Sequence, residues 1–301
     1  MSRWKLTQQS VLITGAANGI GRAIALSLAK RGNALWLCDI DQKKLEHTAE
    51  QCREESVAVR QSTIDLSAPD QVAQLSQQVH LEWPQLSILI NNAGISCYGS
   101  YNKFDLQQHN QLMQINLLAP MQLTHHLLPT LLQQERSHVV NIASMYGLFI
   151  SNRSTTYHAS KFGMVGFSLA MRAEYRRTPV QVNTICPGFV KTELYDHLMV
   201  TRRRTKKRHP PQWASSTPDQ VASAVIRGIE GNKRLVLIST LARLGYWSTC
   251  LAPGLLDWLY SFGKKQSYIP AEQEVISLPI SEAVHAEETL PHAAEETKKA
   301  A

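Results

Sequence analysis

The sequence contains no CxxC pair, no HExxH motif, no internal repeat and no apolar run long enough to cross a membrane. Each absence removes a class of protein. The five cysteines (Cys38, Cys52, Cys97, Cys186 and Cys250) are odd in number and widely scattered. That argues against a disulfide framework or a zinc site and for a reducing compartment. The histidines show no metal-ligand spacing, and "HH" at 125–126 reads as helix surface, so no metal is expected. No apolar run precedes Val11, so no secretory signal is expected. Without export, the "NRS" pattern at 152–154 carries no glycosylation. Residues 241–262 are apolar and aromatic, but Arg243, Pro253–Gly254 and Asp257 interrupt them. They fall short of the roughly 20 apolar residues that a spanning helix needs. The expected location is cytoplasmic, with contact at the periphery of a membrane left open.

What is present begins with charge. Across 301 residues, 31 Lys and Arg face 24 Asp and Glu, a formal net charge of +7. The balance is uneven: "RRRTKKRH" at 202–209 is strongly basic, whereas 271–301 holds seven Glu against two Lys. The basic run is short and has no interleaved aromatics, so no nucleic-acid partner is expected. It reads as a solvated loop, or as one attracting acidic head groups or substrates. A hydrophobic fraction of 44% is that of a globular chain able to bury a full core.

Short apolar runs alternate with segments of helical period, which predicts βαβ units and a parallel sheet. Strands are expected at 10–15, 34–40, 57–66, 86–94, 138–144, 180–188 and 234–239. Helices are expected at 21–32, closed by Gly32, and at 42–55, 105–133, 156–177 and 217–231. Pro120 should break or kink the third of these, and Pro218 sits in the first turn of the last. The strand runs are continuous rather than alternating, as strands covered on both faces should be. Residues 1–240 are expected to form one domain, with a cofactor half at about 8–140 and a catalytic and substrate half at about 141–240. An apolar helical extension at 241–270 and an acidic, disordered tail at 271–301 complete the chain. Segment 241–262 could pack as a core helix, cover the site as a lid or lie on a membrane; packing or lid is preferred.

"TGAANGIG" (14–21) lies between the first strand and the first helix. Its glycines Gly15, Gly19 and Gly21 let the backbone turn tightly and approach a diphosphate, which then meets the positive end of the helix. Asp39 ends the second strand, where a carboxylate can accept hydrogen bonds from the adenosine ribose and repel a 2′-phosphate. Neither Asn18 nor Ile40 supplies a cation for such a phosphate. NAD is the preferred cofactor; NADP stays open because Arg22 and Lys43 are near in sequence.

With this cradle, "NNAG" (91–94) after the fourth strand, Ser144, and Tyr157 four residues before Lys161, all in this order, the chain resembles the classical short-chain dehydrogenase/reductases over about residues 8 to 240. The resemblance implies an α/β fold: a Rossmann-like, doubly wound, parallel seven-stranded sheet of order 3-2-1-4-5-6-7 with helices on both faces. It implies Asn116, Ser144, Tyr157 and Lys161 as the catalytic residues, with Ser144 and Tyr157 on the substrate. Cofactor contacts would come from Gly15, Asn18, Gly19, Ile20, Gly21, Asp39, Asp65, Leu66, Asn92, Ala93 and Gly94. Tyr157, Lys161, Pro187, Gly188, Val190 and Thr192 would complete them. A homodimer or homotetramer through the helices at 105–133 and 156–177 is implied as well. The segment from 234 onward looks like that of members acting on lipid-like substrates.

Hydride transfer at an alcohol carbon needs a proton to leave or join the oxygen. A free tyrosine, with pKa about 10, is a poor base at neutral pH. Residues four apart share a helix face, so Lys161 can stand beside Tyr157 and stabilise its phenolate. Ser144 can hold the substrate oxygen, and Asn116 would help hold a water that links Lys161 to solvent. The expected function is therefore NAD-dependent oxidation or reduction of a hydrophobic alcohol, ketone or aldehyde, of steroid, retinoid or lipid type. A fatty acyl-CoA reductase, with 202–209 on the coenzyme's phosphates, and a non-catalytic nucleotide sensor are the alternatives. His158 and Cys97 are read as structural.

Overall fold

A computed structural model describes residues 4–195, 198–200, 215–252, 254, 258 and 261–262. The basic run 202–209 and the tail 271–301 lie outside the described residues. The described residues all belong to one compact unit, Met1–Lys264.

Seven strands form the main sheet: β1 (Ser10–Thr14), β2 (Ala34–Asp39), β3 (Val59–Thr63), β4 (Ile88–Asn91), β5 (Ser137–Ile142), β6 (Val180–Cys186) and β7 (Leu235–Leu237). All neighbours are parallel, in the order β7-β6-β5-β4-β1-β2-β3, which is the expected one. Period two explains the composition of β1. Val11 and Ile13 point into a cluster with Ile24 and Leu28 of α1 (Gly19–Ala29), Leu45 of α2 (Gln42–Arg53) and Val225 of α7 (Pro218–Glu230). Leu12 points the other way, into a cluster with Val72 and Leu75 of α3 (Pro69–Glu82) and Leu123 and Leu127 of α5 (Ala119–Leu132). Each such side chain, fully buried, contributes about 2 kcal/mol. With both faces covered, no polar alternation is left to see.

Three expectations need correction. The helix α3 was not anticipated. The strand expected at 57–66 is shorter, because β3 is the sheet edge and only half-buried there. The helix expected at 105–133 is also not continuous. It comprises α4 (Leu106–Met113), a π-helical turn at Gln114–Leu118, and α5. Pro120 has no N–H to offer the Asn116 carbonyl four residues back, and the widened turn accommodates that loss.

From β1 the chain winds outward through β2 and β3, then returns to β4 on the other side of β1. The strand order reverses there, and the crevice beyond the C-terminal ends of β1 and β4 is where a doubly wound sheet can receive a ligand. The helices α6 (Thr155–Glu174) and α8 (Thr240–Leu251) complete the described architecture. Among the described residues, no helix is long and apolar enough to cross a membrane.

Candidate active site

The expected residues come from eight segments: the loop after β1, the end of β2, the segment after β3, "NNAG" at the end of β4, the π-helical turn, the turn after β5, the first turns of α6 and the segment after β6. Gly15 and Gly19 have φ of +67° and +54°, where any side chain is strained. A Cβ on Gly15 would lie 2.8 Å from the Ala93 Cα, and one on Gly21 would overlap the Gly15 carbonyl. Asn92 Nδ2 donates to the carbonyl oxygens of Thr14 and Gly15, both at 3.0 Å. The Thr14 hydroxyl accepts from the N–H groups of Asn92 and Ala93 at 3.0 and 3.1 Å. Asn92 and Ala93 therefore fasten the glycine loop. Thr14, which carries half of that fastening, opens "TGAANGIG", but its partners 78 and 79 residues away are not visible there.

The helix α1 starts at Asn18 without a side-chain cap and without an acidic residue in its first turn. The N–H groups of Gly19, Ile20 and Gly21 consequently have no intrahelical acceptor and lie at the positive end of the helix dipole. That donor set fits a diphosphate. Thr192 closes over it: a Cβ on Gly19 would lie 3.1 Å from Thr192 Cγ2.

Asp39 is half-buried at the end of β2. Its carboxylate accepts from the Ala17 N–H at 2.9 Å and the Asp41 N–H at 3.1 Å. Nearby cations are engaged elsewhere, Arg22 with Gln51 and Lys44 with Glu193, both at 2.6 Å. The Asp39 carbonyl accepts from the Ile64 N–H at 2.9 Å, which brings the segment of Asp65 and Leu66 alongside. Asp65 itself accepts from the Ser67 N–H at 2.8 Å. On the opposite flank, the Pro187 carbonyl accepts from the Met145 N–H at 2.8 Å, and Gly188 packs against Ser239. Val190 is buried and, with Phe189, pairs with Ser215–Ser216.

Tyr157 and Lys161 lie one turn apart on α6, both buried. The Ser144 side chain lies close enough to the Tyr157 hydroxyl to favour its ionised form. Ser144 also accepts from the Tyr146 N–H at 3.1 Å. Lys161 Nζ donates to the Ile142 carbonyl at 3.1 Å and stands 5.7 Å from the centre of the Tyr157 ring. Gly94 is the spacer beside them: a Cβ there would lie 3.1 Å from Asn116 Oδ1 and 3.6 Å from Lys161 Nζ. The Asn116 side chain is fully engaged. It accepts from the Ile95 N–H, donates to the Ile95 carbonyl, both at 2.8 Å, and donates to Ser160 Oγ at 3.1 Å. With Pro120 unable to donate, the group Asn116 can offer a water is its main-chain carbonyl.

The electrostatics depart from expectation. Burial pushes Tyr157 up to about 12, with the nearby Ser144 side chain opposing, and burial pushes Lys161 down to about 8. In the chain alone, loss of solvation outweighs any lowering of Tyr157 by its lysine. The surroundings explain this, because Cys97, Leu112, Ile95, Phe104, Tyr146 and Met199 form an apolar shell around Tyr157.

His158 does more than its isolated position in the sequence suggested. Its Nε2 accepts from the Ser151 N–H at 3.0 Å, which leaves Nδ1–H to donate to the Tyr146 carbonyl at 2.8 Å. The residue after Tyr157 thus ties the segment 146–151 to α6, and the ring of Tyr146 rests on it at 4.6 Å. Adjacency to Tyr157 was the only sign of this. Among the described residues, no group of three or more His, Cys, Asp or Glu could hold a metal.

The family model for short chain dehydrogenases matches residues 9–202. A 17-beta-hydroxysteroid dehydrogenase 13 of Rattus norvegicus is 31% identical over 239 residues, 78% of this chain and 76% of that protein. A short chain dehydrogenase/reductase from Burkholderia phymatum, solved with NAD, superposes with a TM-score of 0.75 at 22% identity, covering 90% of this chain and 100% of that one. A short-chain dehydrogenase from Sphingobium yanoikuyae, solved with NADPH, gives 0.70 at 25% identity, covering 88% and 99%.

Proposed function

The chain belongs to the short chain dehydrogenase family, and on that premise we propose that it moves a hydride between NAD and a hydrophobic alcohol, ketone or aldehyde. One observation carries the reading. A buried tyrosine, influenced by Ser144, lies one helical turn from a buried lysine in a chain whose first helix has an uncapped N-terminus behind a glycine loop.

The nicotinamide ring, when bound, supplies or accepts the hydride. Tyr157 gives a proton to the substrate oxygen in reduction and takes it in oxidation, while Ser144 holds that oxygen by a hydrogen bond. Lys161 supplies the cation that stabilises phenolate as it forms and reaches the ribose hydroxyls. A water on the Asn116 carbonyl would relay protons between Lys161 and solvent. Gly15, Gly19, Ile20 and Gly21 would cradle the diphosphate. Asp65 and Leu66 would flank the adenine, and Pro187, Gly188, Val190 and Thr192 would close over the nicotinamide end.

Asp39 supports NAD over NADP. Its carboxylate is oriented by two backbone N–H groups at the end of β2, where it would repel a 2′-phosphate, and Arg22 and Lys44 are engaged by Gln51 and Glu193. The apolar shell of Tyr157 supports a hydrophobic substrate of steroid, retinoid or lipid type. A dimer or tetramer is expected through α5 and α6, where Met121 and Phe162 stand exposed.

The test is a panel of steroids, retinoids, long-chain alcohols and acyl-CoAs with each cofactor. Turnover of apolar alcohols or ketones with NAD(H) preferred is the expected result. Cofactor binding without turnover across the panel would leave a nucleotide sensor instead, and turnover confined to acyl-CoAs would move the substrate class.

A further inference from the structure

The two sides of α8 are unlike. On its inner side Ala242 is fully buried, and Tyr246 packs with Leu148 and Val165. Gly245 meets Phe149 so closely that a Cβ there would lie 2.8 Å from the ring's Cγ. On its outer side Leu241, Leu244, Trp247 and Leu251 are 42, 64, 57 and 78% exposed. At 100° per residue these four fall within one 120° arc, so they form a stripe rather than scattered exposures. Beyond the helix, Trp258 and Phe262 are also exposed and meet edge to face at 4.8 Å. Single exposed apolar residues need no explanation, but a continuous apolar stripe marks a surface that something covers.

Charge selects the partner. In the sequence, 233–265 carries Lys233, Arg234, Arg243, Lys264 and Lys265 against one acid, Asp257, and of these Arg243 stands exposed on α8 beside the stripe. A second copy of the same face would gain no acid to meet Arg243, since α8 carries none. Anionic lipid head groups complement that cation, and tryptophan with leucine beside Lys and Arg suits a helix lying in a bilayer interface.

We propose that α8 docks the protein on an anionic phospholipid surface, its outer stripe in the lipid and its inner side on the substrate side of the site. The second half follows from a run of aromatic contacts. Gly245 of α8 meets Phe149, Phe149 meets Tyr146 at 6.2 Å, and Tyr146 meets Tyr157 at 6.1 Å. A lipid-soluble alcohol or ketone would then have a short path from the bilayer to Tyr157. This last step rests on the oxidoreductase reading; the docking itself does not.

The test is flotation of the full chain with vesicles of phosphatidylcholine alone and of phosphatidylcholine with phosphatidylglycerol. Binding to the anionic vesicles is expected to exceed that to neutral ones by about tenfold or more and to weaken in high salt. The double variant Leu244→Glu, Trp247→Glu is expected to lose that binding while keeping its Tm and its turnover of a water-soluble substrate. Vesicle binding with no turnover at all would uphold docking and remove the oxidoreductase reading. Equal binding to both vesicles, or undiminished binding by the variant, would overturn the proposal. So would a dimer that the variant abolishes, with no vesicle binding, which would make the stripe a self-association face.

Discussion

Lys161 Nζ donates to the Ile142 carbonyl oxygen at 3.1 Å, so the ammonium is anchored to the last residue of β5 and not to the Tyr157 hydroxyl. The anchor holds a cation where burial disfavours one. With Lys161 near 8 and Tyr157 near 12, the tyrosine keeps its proton across the physiological range and the lysine loses its own first.

The pH dependence of reduction follows from that order. Tyr157 is protonated on both sides of pH 8, but the charge that stabilises its phenolate is present only below. The kcat/KM for carbonyl reduction is therefore expected to be flat below about pH 8 and to fall above it. Lys161→Arg should shift the fall upward, because guanidinium stays charged. A profile flat to high alkalinity in the wild type would remove Lys161 from this role.

Tyr157→Phe removes one oxygen from a buried, otherwise apolar ring environment. The variant should fold and bind its nicotinamide cofactor as the wild type does, and lose turnover by on the order of 10²–10⁴-fold. Unfolding curves, cofactor titration and steady-state rates on one preparation check it. Near-normal turnover would end the assignment.

Two glycine variants separate fold from cradle. Gly21→Ala would press a Cβ onto the Gly15 carbonyl and Asn92 Nδ2, so cofactor affinity should drop by about tenfold or more, with a lower Tm. Gly32→Ala has a left-handed φ of +74° but open space around it, and should cost about 1 kcal/mol of stability without touching affinity. Equal losses of affinity in the two variants would contradict the cradle geometry.

His138 makes stability depend on pH far from the site. It is buried in β5 and stacked on Trp4, its Nδ1 bonds Asn183 Oδ1 at 2.7 Å, and burial lowers it from 6.5 to about 4. Between those values the unfolded chain takes up a proton that the folded one refuses. Stability is thus complete above about pH 6.5 and falls as pH drops to about 4, by up to about 3 kcal/mol. Urea unfolding at several pH values should show this slope in the wild type and lack it in His138→Gln, relative to each other. Parallel curves would refute it.

The strands and the Tyr157–Lys161 pair were legible because their signals are local: apolar runs of four to seven residues, and one helical turn of spacing. The helix α3 shows how a local signal can be thin. Its buried face has Val72, Leu75 and Val79, but also Ser76, among glutamines. Other features are not local at all. Thr14 joins Asn92 and Ala93 across almost eighty residues, and the direction of the Asn116 side chain depends on Ile95 and Ser160. The electrostatic balance at Tyr157 was illegible for the same reason, since Cys97, Leu112 and Met199 surround it from three separate segments.

Because Asn92 holds the carbonyls of Thr14 and Gly15, the glycine loop at the beginning of the chain is unfinished until β4 has been made and laid beside β1. During synthesis the nucleotide site is therefore a late product of an early segment. A newborn chain, however well its first strand and helix have formed, carries no competent cradle before residue 92 has emerged from the ribosome. Capture of the cofactor thereby doubles as a checkpoint on assembly, rewarding only chains whose central strands have already met.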